Sequence, residues 1–309
     1  MAIHMLEPER KTLTGTFSSD ALAVLSVDPG DTVIYRTLDA GWHTNGDGAR
    51  FAPRDPMRDD GHAMCGPIAV RGAEPGMTLG VHIGDIRPGT WGWTVAGAWP
   101  HPVNERLGLS DAPEYMLRWT LDPDAGIGTS QFGHVLALRP FLGVMGMPTD
   151  EPGILSTAPP RRTGGNLDCK ELVSGSVLYL PIEVSGGLFC LGDGHAAQGD
   201  GEVSVTAIEC PMERVEITFS LHGDMPIKFP RANTPIGWLT LGLHEDLNEA
   251  AYLALEEMLD LMQTQYGYAR QEALAIASLT VDLRITQIVN GVRGVHAVLP
   301  HGAIRTKPV

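Results

Sequence analysis

Positive charge is scarce in this chain. Its 22 lysines and arginines face 37 aspartates and glutamates, for a formal net charge of −15 over 309 residues. A surface that acidic repels phosphate backbones and anionic bilayers, so neither nucleic acid nor membrane is an expected partner. No apolar run is long enough to span a bilayer, and the opening MAIHMLEPERK lacks the apolar stretch of a secretory leader. The four cysteines, Cys65, Cys169, Cys190 and Cys210, show no C-x-x-C spacing. That argues against a zinc–thiolate site and fits free thiols in a reducing compartment, so a cytoplasmic location is expected. There is no G-x-S-x-G elbow, no P-loop and no G-x-G-x-x-G after a strand. Cys169-Lys170-Glu171 groups the residue types of a cysteine amidase, but adjacent side chains point apart and such triads are assembled from distant segments.

What the chain does have is turn formers, 37 glycines and 23 prolines, which imply many short strands. Ala21–Val27, Thr32–Leu38, Thr78–Ile86, Val177–Val184, Glu202–Cys210 and Arg214–His222 read as strands, most of them by period-2 alternation. Patterning changes near residue 240. Asp246–Gln265 has helical period, with Asp246 as N-cap and Glu249 completing a capping box. A second helix is predicted over Arg270–Ser278. Val281–Val289 and Val292–Leu299, joined by Asn290-Gly291, read as a hairpin. The expected fold is mainly β, a sandwich- or barrel-like body with a C-terminal α+β portion. A division at 1–145 and 146–309 is expected, with Gly146–Gly165 as boundary or long active-site loop.

Polar residues cluster in three places. Gly192 to Glu202 contains Asp193, His195 and Glu202 among glycines that let the backbone approach a ligand closely. If extended, Asp193 and His195 share a face and can share a divalent metal. Glu202 can return to the same pocket as a base. Spacing alone favours a plainer reading, two Asp-Gly turns with a surface histidine. Thr163-Gly164-Gly165-Asn166-Leu167-Asp168 can present Asn166 and Asp168 to a pocket, or simply form an Asx-turn loop. His62, beside Gly61, and Asp39, at a strand end, are further candidate metal ligands; their plainer readings are a structural histidine and a turn former.

The ordered set of motifs resembles the acetamidase/formamidase family. Phe141-Leu142-Gly143-Val144-Met145-Gly146 is followed by Pro159-Pro160-Arg161-Arg162-Thr163-Gly164-Gly165-Asn166-Leu167-Asp168 and by Gly192-Asp193-Gly194-His195 through Glu202. Gly66-Pro67-Ile68, Gly72-Ala73-Glu74-Pro75-Gly76 and Asp282-Leu283-Arg284-Ile285-Thr286-Gln287 fit as well, so the likeness runs from about Gly30 to Pro300. The length is similar to the shorter, acetamidase-like branch. Met77 and Gly80 depart from the family's acidic residues at those positions, and both read as solvent-facing changes.

The resemblance implies an amidohydrolase acting on C–N bonds of small, neutral, linear amides, giving carboxylate and ammonia. It also implies a homo-oligomer and a divalent metal, zinc or calcium. On that basis Asp39, His62, Asp193 and His195, or a subset, are expected to hold the metal. Glu202 is expected to act as base, Asn166 as oxyanion donor and Asp168 as the residue orienting a ligand or the substrate NH₂. A small closed pocket is expected for so small a substrate. The rival is a calcium-stabilised β-sandwich binding carbohydrate through an exposed row of Trp91, Trp93, Trp99 and Trp119. A cupin-like metal oxygenase is a second rival, weakened because Asp193 stands where that pattern needs a histidine.

Overall fold

The computed structural model describes residues 1–305; the last four residues of the 146–309 portion lie outside it. Strands dominate up to His244, interrupted by one short helix, Pro102–Leu107, and two helices follow. The mainly-β reading with a C-terminal α+β portion holds.

A nine-stranded sheet forms the frame. In spatial order its strands are Ile3–Leu6, Thr32–Tyr35, Met212–His222, Thr78–Pro88, Val177–Pro181, Arg231–Thr234, Gly237–His244, Arg293–Pro300 and Asp282–Gln287. A six-stranded sheet joins Gly164–Asn166, Phe141–Gly146, Phe189–His195, Met64–Val70 and Leu13–Thr14, with Leu25–Val27 pairing parallel to Met64–Val70. A four-stranded antiparallel sheet contains Trp91–Ala96, Tyr115–Asp122, Ile127–Ser130 and Val135–Ala137. Strands from both sides of residue 146 interleave in the two larger sheets.

Side-chain alternation explains the frame. Val215, Ile217 and Phe219 are buried in turn along Met212–His222, and Leu79, Val81 and Ile83 answer them from Thr78–Pro88. Phe189–His195 is different, buried at every residue. Gly192 makes that possible: a Cβ there would meet Met64 Cα at 2.9 Å, so a larger residue would force the sheet apart.

The helix Leu247–Tyr266 begins where Asp246 Oδ1 accepts from Asn248 N and Glu249 N. The reciprocal half of the capping box is not made, because Asp246 N donates to His244 Nδ1 instead. Ala250, Ala254, Met258, Leu261 and Met262 are buried and cluster with Val295, Ala297 and Leu299 of the neighbouring strand. The second helix spans Arg270–Thr280. The hairpin Asp282–Gln287 with Arg293–Pro300 forms in the expected place, around a connection of residues 288–292 rather than a two-residue turn.

Two expectations fail. Glu202–Cys210 is not a strand: it makes only isolated bridges, at Glu209, and Glu202 and Val205 have left-handed backbones (φ 47° and 73°). Two of its amides turn to local acceptors, Val205 N to Glu202 O and Ala207 N to the Glu209 carboxylate, and only its end reaches neighbouring strands, Glu209 N to Trp93 O and Cys210 N to Gly194 O. Gly80 is buried, not solvent-facing, because a Cβ there would collide with Ser220 Oγ, while Met77 is half-buried.

Candidate functional site

The three motifs become neighbours in the six-stranded sheet. Phe141–Gly146 lies between Gly164–Asn166 and Phe189–His195, with Val144 opposite both Asn166 and Gly192. Gly143 O accepts from Leu167 N and Asp168 N, which draws Asp168 across toward Asp193. A Cβ at Gly143 would sit 2.6 Å from Asp168 Oδ1 and 2.8 Å from His195 Cε1, and closer still to Asp193 Oδ2. Glycine therefore leaves open the floor of a cradle formed by two carboxylates and an imidazole.

His195 is the centre of this cradle. Its Nε2 lies 3.2 Å from Asp193 Oδ1, 3.3 Å from Glu209 Oε2 and 4.0 Å from Glu202 Oε1. The other ring nitrogen, Nδ1, is 2.9 Å from Gln198 Oε1, and Gln198 Nε2 donates to Asp168 O. An oxygen acceptor at Nδ1 fixes the proton there and turns Nε2 toward the carboxylates. Phe141 packs edge-on to the ring at 5.1 Å between centroids. Asp193 and His195 do share a face, although Asp193 has a left-handed backbone (φ 59°). Asp168 (φ 48°) and Glu202 (φ 47°) are left-handed as well. Such positions cost about 1–3 kcal/mol each and cluster at functional sites.

Asp168, Asp193, Glu202 and Glu209 are all buried around this one imidazole. Four carboxylates so close cannot all stay ionised without a compensating proton or cation. Burial pushes Glu209 up to about 7 and Asp168 up to about 6, against the pull of His195. Burial, and then Asp168, push Glu202 well above the carboxylate range. Burial also opposes the charge on Asp193, but His195 and then His62 outweigh it and hold that carboxyl below its usual value. His195 is desolvated too, yet Glu209 and Asp193 raise it well above an ordinary imidazole.

The donor set suits a cation. Asp168, Asp193 and His195 place one ligand atom each within 4.8 Å of one another, and so do His195, Glu202 and Glu209. Asp168 Oδ1 is buried without a hydrogen-bond partner and Glu209 Oε2 faces only the His195 ring, and an oxygen left as Asp168 Oδ1 is costly unless something positive meets it.

The remaining expected residues fall around this cluster. His62 and Asn166 line the same cavity of about 710 Å³ as Asp193, Glu202 and Glu209. His62 Nδ1 pairs with Thr157 Oγ1 at 2.8 Å. Asn166 Nδ2 donates to Ala158 O, while its Oδ1 is buried without a partner. Asp39 lies outside both ligand groups. It accepts from His43 N and Trp93 Nε1 and pairs with His43 Nδ1, so its oxygens are taken up in holding that wall. The cavity is larger and more open than the small closed pocket expected.

Two contributors escaped sequence reasoning. Glu209 looked like one polar position of an alternating strand. Asn290, read as a turn residue, donates from Nδ2 to Asp168 Oδ2. Cys169 is buried with its thiol pushed up to about 12 by desolvation, and Glu171 is paired with Arg139 and Arg284, so no cysteine nucleophile forms there.

The acetamidase/formamidase family profile matches residues 148–302, half of the chain. The chain belongs to the acetamidase/formamidase family. A putative formamidase of Schizosaccharomyces pombe is 26% identical over 249 residues, which cover 63% of this chain and 60% of the relative. The match thus spans about 60% of that relative's length. Two solved family structures superpose over nearly the whole chain. The predicted acetamidase/formamidase of the thermophile Thermoanaerobacter tengcongensis has a TM-score of 0.84 at 25% identity, covering 97% of this chain and 96% of that one. An acetamidase from Bacillus halodurans has a TM-score of 0.83 at 27% identity, covering 96% and 97%. Of the three segments that meet at His195, Thr163–Asp168 and Gly192–Glu202 fall within the matched residues, and Phe141–Gly146 lies just before them. Among the described residues no helix is long and apolar enough to cross a membrane.

Proposed function

We propose that this chain hydrolyses the C–N bond of a linear amide at the His195 cluster, releasing carboxylate and ammonia with the help of a divalent metal. The observation that carries the reading is the convergence of three chain segments on one imidazole ringed by buried carboxylates, with Asp168 Oδ1 among them left without a partner. Asp193, His195 and Glu209 would hold the ion, with Asp168 beside them. A zinc or calcium ion there supplies Lewis-acid polarisation of a carbonyl and acidifies water.

The chain's own residues do the rest. Gln198 holds the His195 tautomer, and Asn290 holds Asp168. Glu202, at the edge of the cluster and lining the cavity, would be ionised by a cation that offsets the surrounding carboxylates, and would then take the proton of the attacking water and return it to the leaving nitrogen. Asn166 Oδ1 is an acceptor, so it suits the amide NH₂ better than an oxyanion. Overall, water's oxygen forms the new C–O bond, the C–N bond breaks, and the nitrogen leaves as ammonia. The tryptophans of the carbohydrate-binding alternative do not form an exposed row, since Trp119 is buried and the other three are half-buried.

Ammonia release from formamide and acetamide, with metal per chain measured on the same sample, tests this reading. Metal-loaded protein that releases no ammonia from either would count against it. The reading includes a homo-oligomer of at least two copies, supported by family membership; light scattering separates it from a 33.1 kDa monomer.

A further inference from the structure

Four of the chain's six tryptophans, Trp91, Trp93, Trp99 and Trp119, line one cavity of about 490 Å³ next to the His195 site. Trp93 and Arg50 line both this cavity and the site cavity, so the two spaces share a wall. That wall is fixed. Trp93 Nε1 donates to Asp39 Oδ2 at 2.7 Å, the His43 ring packs edge-on against its indole, and its backbone pairs in both directions with Glu209. Trp119 Nε1 donates to Thr94 Oγ1. The indole N–H groups of Trp93 and Trp119 are thus satisfied within the protein. What these rings can offer a guest is their apolar faces.

Size points the same way. Formamide and acetamide have only a few heavy atoms, whereas cavities of this size hold drug-sized ligands. Beyond Trp93 and Arg50, which line both cavities, the space adjoining the site is walled by aromatic surface. At the rim, Arg50 and Arg118 are balanced by Asp47 and Glu114, so the lining selects neither sign of charge. A flat, uncharged ring is the guest that such a lining recognises.

We propose that the tryptophan-lined cavity is a subsite for the acyl side chain of the substrate, and that the preferred substrates are primary amides of aryl-substituted carboxylic acids. This rests on the amide-hydrolysis reading above. The bond changes are the same: the aryl-acyl carbon gains water's oxygen, and ammonia leaves with water's proton.

The test uses phenylacetamide and acetamide with the full-length, metal-loaded protein. Ammonia release gives kcat/KM for each amide, and quenching of tryptophan fluorescence by phenylacetamide gives binding independently of turnover. The expected result is saturable quenching and at least about a tenfold preference for phenylacetamide. Trp99→Ala should reduce that preference by about tenfold and raise the phenylacetamide concentration that half-quenches the remaining cavity tryptophans, while Trp99→Phe, which keeps a ring, should restore most of both. Trp91→Ala serves if Trp99→Ala does not fold. No saturable quenching, or a preference unchanged in folded variants, overturns the subsite even if acetamide is hydrolysed. Half-quenching that moves to higher phenylacetamide in Trp99→Ala and returns in Trp99→Phe, with no ammonia from either amide, upholds the aromatic site and overturns amide hydrolysis instead.

Discussion

His195 and Glu209 stand fourteen positions apart in the chain, yet the imidazole Nε2 and a carboxylate oxygen lie 3.3 Å apart and their backbones form an isolated bridge. Glu209 also pairs with Trp93 through its backbone. One residue therefore joins the candidate metal cluster to the aromatic wall beside it.

Gly143→Ala tests the cradle. The added methyl falls among Asp168, Asp193 and His195, displacing the side chains that meet there. A misplacement of about 1 Å in a catalytic group can cost about 100-fold in rate. The variant should lose at least that much ammonia release while keeping its circular-dichroism spectrum. Activity near wild type would mean that nothing reacts at this floor.

Glu202→Gln tests the base. Glutamine keeps the size and one acceptor oxygen but cannot take a proton. Ammonia release should fall by about 10²–10⁴ with metal content unchanged. Normal turnover would assign Glu202 to the loop alone and move the base to Asp168.

Much of this was legible beforehand, and the limits have physical causes. The helix Leu247–Tyr266 and the hairpin after it were readable because their patterns are local: one apolar stripe, one cap and one Asn-Gly. Asp168, Asp193, His195 and Glu202 stood out as polar residues among glycines. Glu209 did not, because alternation from Glu202 to Cys210 imitates a strand, and the left-handed turns at Glu202 and Val205 leave no period to detect. Nothing in the sequence places Trp93 and His43 against Asp39, whose carboxylate bonds to both. Asn290 looked like a turn residue, which does not reveal that its side chain reaches Asp168.

Arg284 ties the edge strand Asp282–Gln287 to the body, bonding buried Glu171 at 2.7 Å and Asp200 through two nitrogens. Arg284→Met should cost about 3 kcal/mol, the low end for breaking a buried pair, because Arg139 still meets Glu171. Arg270→Ala, which breaks an exposed pair with Asp260, should cost less than about 1 kcal/mol. Urea unfolding compares the two, and equal losses would contradict the difference in burial.

His296 is fully buried, and desolvation lowers its pKa from 6.5 to about 4. Because the folded value is depressed, the neutral ring's contribution is complete above about pH 6.5, where the unfolded imidazole is also neutral. It is lost as pH falls through about 4, the total being about 3 kcal/mol. Unfolding stability measured from pH 7 to pH 4 should fall by about that much more in wild type than in His296→Gln. Parallel curves would show that His296 does not titrate as its burial requires.

The most direct measurement is ammonia release before and after chelation, followed by return of a divalent ion. If His195 and its carboxylates hold a working cation, release from the amide should collapse on chelation and recover with zinc or calcium. The same treatment should change nothing further in His195→Ala, which begins without metal and without activity. Ammonia release that persists at the wild-type rate in metal-free protein would contradict a metal-assisted site.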